Sequence, residues 1–140
     1  MGVRGIDHVA LPTADAEQLV AFYLRLGFDT EGVDEWRAGT APMFSIVCGD
    51  QKINVHPEAL VAARGNPAYL RGPTAEPGCG DLCFVWDEGV DALLALLDAQ
   101  GIPVLAGPVP RVGGRAGGTV GTSVYLRDPD ENLVELISYD

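Results

Sequence analysis

The sequence predicts an α+β fold made of two βαβββ modules that form a cup-shaped mixed β-sheet with the helices outside. The first observation is an internal repeat, because residues 6–27 and 80–101 share one order of elements, a short apolar strand and then a helix that ends at glycine. Gly27 falls opposite Gly101 in this repeat, and a repeat of this kind dictates the architecture. The second observation is that four strands with one covering helix cannot easily bury a whole sheet face, so two such sheets are expected to face each other.

The first module is predicted to span about residues 4–56. Its opening strand, about 5–11, alternates apolar and polar positions at period two, which aims His8 at one definite side. Thr13 or Asp15 can cap the following helix, and Gly27 ends it. Two strand-like runs follow near residues 28–33 and 43–48, and a tight Gly-Asp turn leads to a strand over 51–56 that ends in His56.

Residues 57–79 are rich in Pro, Gly, Ala and Arg, which predicts a connecting arm rather than a core element. A linker this long within a compact domain is usually functional. The second module, about 80–138, is predicted to contain a strand over 81–86, a helix over 89–99, a strand over 102–105, a glycine-rich loop over 113–121 and closing strands over 122–127 and 132–138. Residues 1–140 are therefore interpreted as a single domain with two modules.

Composition excludes several classes of function. Nine Lys and Arg residues against twenty Asp and Glu residues give a formal net charge of −11, which repels nucleic acid and anionic membranes. No apolar run reaches the roughly 20 residues of a membrane span, and the N-terminus lacks the apolar stretch of a signal peptide. A cytoplasmic protein is therefore expected. The three cysteines have no zinc-ligand or redox spacing and are predicted to be reduced, mostly buried thiols.

Four side chains are candidate metal ligands because they stand on the first and last strands of the two modules. His8 and Asp81 occupy matching first strands, and the closing strands carry His56 and Glu135. Each has an ordinary reading as well, since a lone histidine on an apolar strand is more often part of the core, His56 can cap a strand end, and Asp81 can be a solvated strand start. Glu135 lies among apolar neighbours, where a carboxylate usually needs a partner or a metal. The conjunction of the four favours a metal site.

Five segments of the chain form a recognisable pattern, Ile6-Asp-His-Val9, Gln51-Lys-Ile-Asn-Val-His56, Asp81-Leu-Cys-Phe84, Tyr125-Leu-Arg-Asp-Pro-Asp130 and Asn132-Leu-Val-Glu135. Together they resemble the vicinal oxygen chelate superfamily, which includes glyoxalases, extradiol dioxygenases, fosfomycin-resistance enzymes and bleomycin-binding proteins. The resemblance covers nearly the whole chain. The chain is most similar to small glyoxalase-domain proteins that carry both the Gln-Lys-Ile-Asn strand and the Asp-Leu-Cys strand.

The resemblance implies a divalent cation that chelates two adjacent oxygens of a substrate. His8 and Glu135 match the most recurrent ligand positions of the superfamily, and His56 stands where the first module often offers a ligand. Asp81 departs from the pattern because many members have histidine there, which counts against fosfomycin-type and dioxygenase-type chemistry. Two histidines and two carboxylates suit zinc, nickel, manganese, cobalt or ferrous iron. Glu131 is a second departure, since glycine is usual at that position of the turn.

The function implied by the resemblance is that of a metal-dependent, glyoxalase-like enzyme acting on a small substrate with vicinal oxygens. Lyase, isomerase, thiol transferase and dioxygenase reactions all stay open, with Glu135 serving both as ligand and as catalytic proton acceptor. One alternative is a metal-free protein that sequesters an antibiotic or another metabolite, as bleomycin-resistance proteins do. A structural or regulatory subunit that uses the fold as an interaction surface is a further alternative.

Four other residues are candidates for substrate binding. Tyr125 and Trp86 can line a pocket, although aromatic side chains fill cores more often than they bind ligands. Arg127, on the same face as Tyr125, can pair bidentately with a substrate carboxylate or phosphonate, and it is equally suited to an ion pair with a neighbouring aspartate. Lys52 has the same two interpretations. Because exposed strand edges invite pairing, and proteins of the resembled family are commonly dimeric, a homodimer is expected.

Overall fold

The structure is a computed structural model that describes residues 2–115 and 117–140. The chain divides into two compact units, residues 1–79 (unit 1) and residues 80–140 (unit 2). Ala116, which belongs to the predicted glycine-rich loop, lies outside the described residues. Each unit contains its own four-stranded mixed sheet, and the α+β class and the βαβββ order of both modules are confirmed.

Unit 1 contains four strands in the spatial order β1-β4-β3-β2. Its elements are β1 (His8–Pro12), α1 (Ala16–Arg25), β2 (Asp29–Glu31), α2 (Val33–Arg37), β3 (Phe44–Cys48), β4 (Gln51–His56) and α3 (Glu58–Ala62). The pair β1–β4 is parallel, and the pairs β4–β3 and β3–β2 are antiparallel. A parallel pair needs a crossover connection, and α1 lies within the one that joins β1 to β4.

The ends of α1 follow from its sequence. Asp15 is the N-cap, and its side chain accepts a hydrogen bond of 3.0 Å from the backbone N–H of Gln18, which satisfies a donor that the helix leaves open. Gly27 adopts φ +96°, a conformation that suits glycine, so the chain leaves the helix there. The buried core of unit 1 includes side chains of α1 and of the strands, Leu11, Leu19, Val20, Phe22, Tyr23, Ile46, Ile53 and Val55.

Two short helices of unit 1 differ from the sequence prediction. The predicted strand over 28–33 is shorter, because α2 begins at Val33, immediately after Gly32 at φ +81°. The predicted arm over 57–79 begins with α3, which follows Pro57 and buries Leu60. Proline is well tolerated at the start of a helix, where its missing N–H has no partner to lose. The Pro- and Gly-rich composition of the arm gave no indication of this short helix or of the burial of Leu60.

Unit 2 contains four strands in the spatial order β5-β8-β7-β6. Its elements are β5 (Asp81–Val85), α4 (Val90–Ala99), β6 (Ala106–Val112), β7 (Val120–Arg127) and β8 (Leu133–Ser138). The pair β5–β8 is parallel, and the pairs β8–β7 and β7–β6 are antiparallel. After α4 the chain turns at Gly101 at φ +65°, in the same way as unit 1 turns at Gly27.

The buried side of the unit 2 sheet is apolar. Its strands and α4 contribute Leu93, Leu97, Val124, Leu126, Val134 and Leu136, each at most 1% exposed. The opposite side of this sheet therefore carries the polar positions, because side chains alternate along a strand.

The third strand of unit 2 begins later than predicted. The run over 102–105 is not a strand, and β6 starts at Ala106, beyond the buried Ile102. Within that run Ile102 is buried just after α4, and the backbone N–H of Leu105 donates to the backbone oxygen of Tyr125 over 2.8 Å immediately before β6 begins. The end of the predicted glycine-rich loop was also wrong, since Val120 and Gly121 belong to β7.

A buried polar network shapes the turn between β7 and β8. The carboxylate of Asp128 accepts hydrogen bonds from the backbone N–H groups of Asp130 and Asn132 and from the Asn132 side chain. The side-chain oxygen of Asn132 accepts a bond of 2.7 Å from the backbone N–H of Gly80, at the start of β5. Glu131 stands in the middle of this turn at φ +71°, the left-handed conformation that favours glycine. The glycine that is usual at this position would adopt this conformation without strain.

The helices of the described residues are all too short or too polar to traverse a lipid bilayer.

Candidate functional site

The polar face of unit 1 is the side of its sheet opposite the apolar core. Alternation and strand register place on it His8 and Ala10 of β1, Lys52, Asn54 and His56 of β4, and Ser45 of β3. His8 is the direct register partner of Lys52, and His56 is the partner of Pro12 at the other end of the parallel pair. The two histidines thus share a face of unit 1 but stand at opposite ends of the β1–β4 pair.

His8 is held by the residue that precedes it. Nδ1 of His8 lies 2.6 Å from Oδ1 of Asp7. When the neutral ring donates from Nδ1 to this carboxylate, Nε2 keeps its lone pair, which is the arrangement that metal-binding histidines commonly show.

His56 has a different environment at the end of β4. Partial burial, followed by the nearby positive charge of Arg71, lowers the pKa of its imidazole below the ordinary value of 6.5. The neutral ring is therefore favoured near neutral pH, and a neutral imidazole is the form that binds metals.

The polar face of unit 2 carries a cluster of carboxylates, hydroxyls and a thiol. Asp81 and Cys83 of β5, Glu135 of β8, and Ser123, Tyr125 and Arg127 of β7 share it by register and alternation. One row across the sheet contains Cys83, Glu135 and Tyr125, which are direct register partners. The adjacent row contains Asp81 and Arg127 on either side of Leu133.

Glu135 is tied to β7 by a short hydrogen bond. The hydroxyl of Ser123, a fully buried residue, donates to Oε2 of Glu135 over 2.6 Å. A short hydrogen bond to a carboxylate fixes its orientation. The sequence-based expectation that this carboxylate needs a partner is therefore met within unit 2.

Cys83 is the neighbour of Glu135 on the other side. Burial of its sulfur raises the thiol pKa to about 12, and the carboxylate of Glu135, a hydrogen bond to it, and the charge of Asp81 add to the effect. The expectation that the cysteines are mostly buried was wrong, because Cys83 and Cys79 are exposed as residues and Cys48 is half-buried. All three are free thiols, as expected.

Arg111 and Arg127 contribute positive charge to this face, and Arg111 contacts Tyr125. Nε of Arg111 donates a hydrogen bond of 3.0 Å to the Tyr125 hydroxyl, and the guanidinium lies 5.7 Å from the ring centroid. Arg127 is exposed and donates from Nη1 to the backbone oxygen of Glu131 over 3.3 Å.

Trp86 is the predicted substrate-binding residue that lies apart from this cluster. It follows β5 with the parity of Leu82 and Phe84, on the side opposite Asp81. Its indole N–H donates to the backbone oxygen of Gly89 over 3.0 Å, so this polar atom is used in the turn that begins α4.

The candidate ligands of the two closing strands, His56 in β4 and Glu135 in β8, stand at different positions relative to the start of the neighbouring first strand. His8 and Asp81 each begin the first strand of their unit, and their register partners are Lys52 and Leu133. Two residues beyond those partners stand Asn54 in unit 1 and Glu135 in unit 2. Asn54, rather than His56, is therefore the counterpart of Glu135, and its side-chain oxygen accepts a bond of 2.9 Å from the Ser45 hydroxyl.

Several residues of the two faces were not selected from the sequence. Ser123 stands two residues before Tyr125, and Asn54 stands between Lys52 and His56, so period-two spacing from candidates already chosen would have found both. Asp7 belongs to the motif Ile6-Asp-His-Val9, but nothing in the sequence indicated that it is a partner of His8. Arg111 had no such signal, because its contact with Tyr125 depends on the pairing of β6 with β7.

Within either unit, as far as residues 2–115 and 117–140 are concerned, no three His, Cys, Asp or Glu side chains are grouped closely enough to hold one metal ion. The polar face of unit 1 offers imidazole nitrogens, and that of unit 2 offers carboxylates beside two arginines. Such faces can bind cations and anionic small molecules, and a hydrogen-bonded carboxylate can accept a proton.

Comparison with known proteins identifies the family. Residues 5–136 match the model of the Glyoxalase/Bleomycin resistance protein/Dioxygenase superfamily. The chain is 34% identical over 139 residues to the glyoxalase domain-containing protein RDO1 of Mycosarcoma maydis, covering 99% of this chain and 70% of that protein. This protein therefore belongs to the glyoxalase/bleomycin resistance/dioxygenase superfamily, whose members bind small molecules.

Two solved structures resemble the chain over nearly its full length. The crystal structure of virulence protein STM3117 from Salmonella typhimurium has a TM-score of 0.81 at 30% identity, covering 100% of both chains. The lactoylglutathione lyase from Agrobacterium tumefaciens has a TM-score of 0.68 at 26% identity, covering 98% of this chain and 95% of that one.

Proposed function

We propose that this chain is a divalent-metal-dependent enzyme of the glyoxalase superfamily that acts on a small substrate with vicinal oxygens. The observation that carries the proposal is the Glu135 carboxylate, which is oriented by Ser123 on a strand face that also bears Asp81 and Cys83. Membership in the superfamily supports the same conclusion.

The donor set fits a divalent cation. His8 is paired with Asp7 through Nδ1, so its other nitrogen suits a ligand, and the pKa of His56 is lowered, which favours the neutral ring. Asp81 and Glu135 offer carboxylate oxygens. Imidazole and carboxylate ligands together suit zinc, nickel, manganese, cobalt or ferrous iron. We propose that the ligands of the ion are drawn from His8, His56, Asp81 and Glu135, although the two histidines stand at opposite ends of the β1–β4 pair and the described residues bring no three such side chains together.

The chemistry divides between the ion and the protein. A bound divalent cation supplies Lewis acidity that stabilises negative charge on the substrate oxygens. Glu135 accepts a proton from the substrate, while the Ser123 hydroxyl holds its Oε2 oxygen in place. Arg127 and Lys52 bind an anionic group of the substrate, and Tyr125, oriented by Arg111, contacts its body. Trp86 lies on the opposite side of the unit 2 sheet, and we assign it no contact with the substrate.

The proposed class of reaction follows from the role of Glu135 as the acceptor of a substrate proton. Proton abstraction by Glu135 suits lyase and isomerase chemistry, and the likeness to a lactoylglutathione lyase supports these two over the thiol transferase and dioxygenase alternatives.

The test is the metal content of protein purified without added metal, measured by elemental analysis. A stoichiometric transition metal is expected in the wild type and in Arg127→Ala, because a guanidinium stays protonated and is no metal ligand. His8→Ala and Glu135→Ala are expected to lose the metal, since loss of one ligand removes much of the affinity of a site.

Equal metal content in the wild type and in both ligand variants would contradict the chelate. Absence of metal together with tight binding of a drug such as bleomycin would favour the sequestration alternative.

A further inference from the structure

An open cavity lies within the arm of unit 1, and none of its lining residues belongs to the polar face of that unit. It has a volume of 460 Å³ and is lined only by residues 60, 64–67 and 69–73. This volume lies within the range of about 300–1,000 Å³ that small-molecule sites occupy. The cavity coincides with the segment whose length already suggested a function.

The arm around this cavity is held in shape by its own hydrogen bonds. The backbone N–H of Asn66 donates to Ala63, and that of Tyr69 donates to Asn66, each over 3.0 Å. The side-chain oxygen of Asn66 accepts a further bond of 2.9 Å from the N–H of Ala68. A walled cavity that is ordered before a ligand arrives loses less entropy on binding.

An ion pair joins the two ends of the arm. Arg64, beyond the end of α3, contacts the carboxylate of Glu76. This contact lowers the pKa of Glu76, because a hydrogen bond from Arg64 and its positive charge favour the carboxylate. The charge of Arg64 is therefore matched within the protein.

Arg71 differs from Arg64 in this respect. It lines the cavity, and its Nη2 atom is enclosed by protein without a hydrogen-bond partner among the described residues. Enclosed guanidinium groups are normally paired with an anion or with hydrogen-bond acceptors, because a charge removed from water is unfavourable when it stays uncompensated. The carboxylate of Glu76, whose pKa the charge of Arg71 also lowers, is already engaged by Arg64.

The rest of the lining is mainly apolar. Leu60, Tyr69 and Leu70 offer aliphatic and aromatic surface, and Leu70 is 83% exposed, which leaves it free to cover a ligand. A cavity that combines an apolar wall with one under-compensated cation selects for a molecule with an apolar body and one negative group.

We propose that the cavity of the arm binds a small organic anion with an apolar body, and that Arg71 recognises its carboxylate or phosphate. The cavity has its own lining residues, none of which is a proposed metal ligand, although Arg71 is near enough to His56 to lower the pKa of that imidazole. The guanidinium presents several N–H donors in one plane, which match the oxygens of such a group.

The test is a titration of the full-length protein with benzoate and, separately, with phenyl phosphate. Binding is measured by calorimetry and by the NMR chemical shifts of the backbone amides in isotope-labelled protein. Saturable binding is expected, with the largest shifts within residues 60–73, and benzyl alcohol, which lacks the charge, is expected to bind at least about tenfold more weakly. Arg71→Gln is expected to lose at least about tenfold in affinity for the anions, and Arg71→Lys less.

Arg37→Gln is the matched control, since it removes one positive charge from an arginine of the same unit that does not line the cavity. Its affinity is expected to equal that of the wild type. The proposal is overturned if neither anion binds with a dissociation constant below about 10 mM, if the shifts lie outside the arm, or if folded Arg71→Gln binds as the wild type does.

Discussion

The Ser123 hydroxyl donates a 2.6 Å hydrogen bond to Oε2 of Glu135, across the β7–β8 pair. The bond is diagonal, because the direct register partner of Glu135 is Tyr125 and that of Ser123 is Ile137. Because Ser123 is fully buried, its hydroxyl is shielded from bulk water and donates to Glu135. This bond in turn fixes the orientation of the Glu135 carboxylate. Glu135, the proposed proton acceptor, is thus positioned by Ser123, which is not itself a proposed metal ligand.

Ser123→Ala is expected to weaken metal binding without removing it. Loss of a hydrogen bond that orients a ligand typically lowers metal affinity by about 10–100-fold. The measurement is a competition titration with a chromogenic chelator. Ser45→Ala is the matched control, because it removes the same kind of bond, from Ser45 to Asn54, in unit 1. Equal affinity in Ser123→Ala and the wild type would show that Glu135 needs no such support.

His56 is expected to make the protein less stable as the pH falls below 6.5, its ordinary pKa. The folded state depresses this pKa through burial and through Arg71, so the folded protein prefers the neutral ring. The corresponding stability is fully present above pH 6.5 and is lost as the pH falls through the lower pKa of the folded state.

Urea unfolding of metal-free protein on both sides of that pH measures this effect. His56→Gln, which cannot titrate, is expected to lose less of its free energy of unfolding on acidification than the wild type does. An identical loss in both proteins would assign the pH dependence to other groups.

Cys83 is expected to resist alkylation in metal-free protein. With its pKa raised to about 12, the thiol stays protonated near neutral pH, and the thiolate is the reactive form. Glu135→Gln is expected to speed the reaction with iodoacetamide, because it removes a negative charge and one of the two carboxylate oxygens beside the thiol, although burial continues to raise the pKa of Cys83. Peptide mass spectrometry over a pH series follows the modification of Cys83. Glu31→Gln, on β2 of unit 1, serves as the control and should leave the rate unchanged.

Glu131→Gly is expected to stabilise the protein by about 0.5–1 kcal/mol. Glu131 adopts φ +71°, which costs a residue with a side chain about 1–2 kcal/mol, and the greater chain entropy of unfolded glycine offsets part of the gain. Denaturant unfolding measures the difference. Glu131→Ala keeps the unfavourable conformation and should show no such gain, so a similar increase in both variants would locate the effect in the lost charge instead.

A C2 homodimer is expected in solution. Each sheet ends in edge strands, β1 and β2 in unit 1 and β5 and β6 in unit 2, and unpaired edges favour association. Light scattering should give twice the chain mass of 14.7 kDa. A mass that stays at that of one chain over the working concentrations would contradict this expectation.

Local sequence accounts for the elements and for the side of the sheet on which each candidate stands. Gly27 and Gly101 end their helices because left-handed backbone suits glycine, and period-two alternation separates Glu135 from Val134 and Leu136. These are short-range steric effects, so the βαβββ order and the two polar faces could be predicted. The short helices α2 and α3 could not, because each depends on a local turn and on burial of single residues, Val33 and Leu60.

Strand register depended on contacts between segments far apart in the sequence. It is register that sets Cys83 and Tyr125 beside Glu135, and that makes Asn54 rather than His56 its counterpart in unit 1. A shift of two residues along a strand keeps every side chain on its face, so alternation cannot detect it. The tertiary fold alone decides which polar side chains touch, because hydrogen bonds such as that from Ser123 to Glu135 form only between strands already paired.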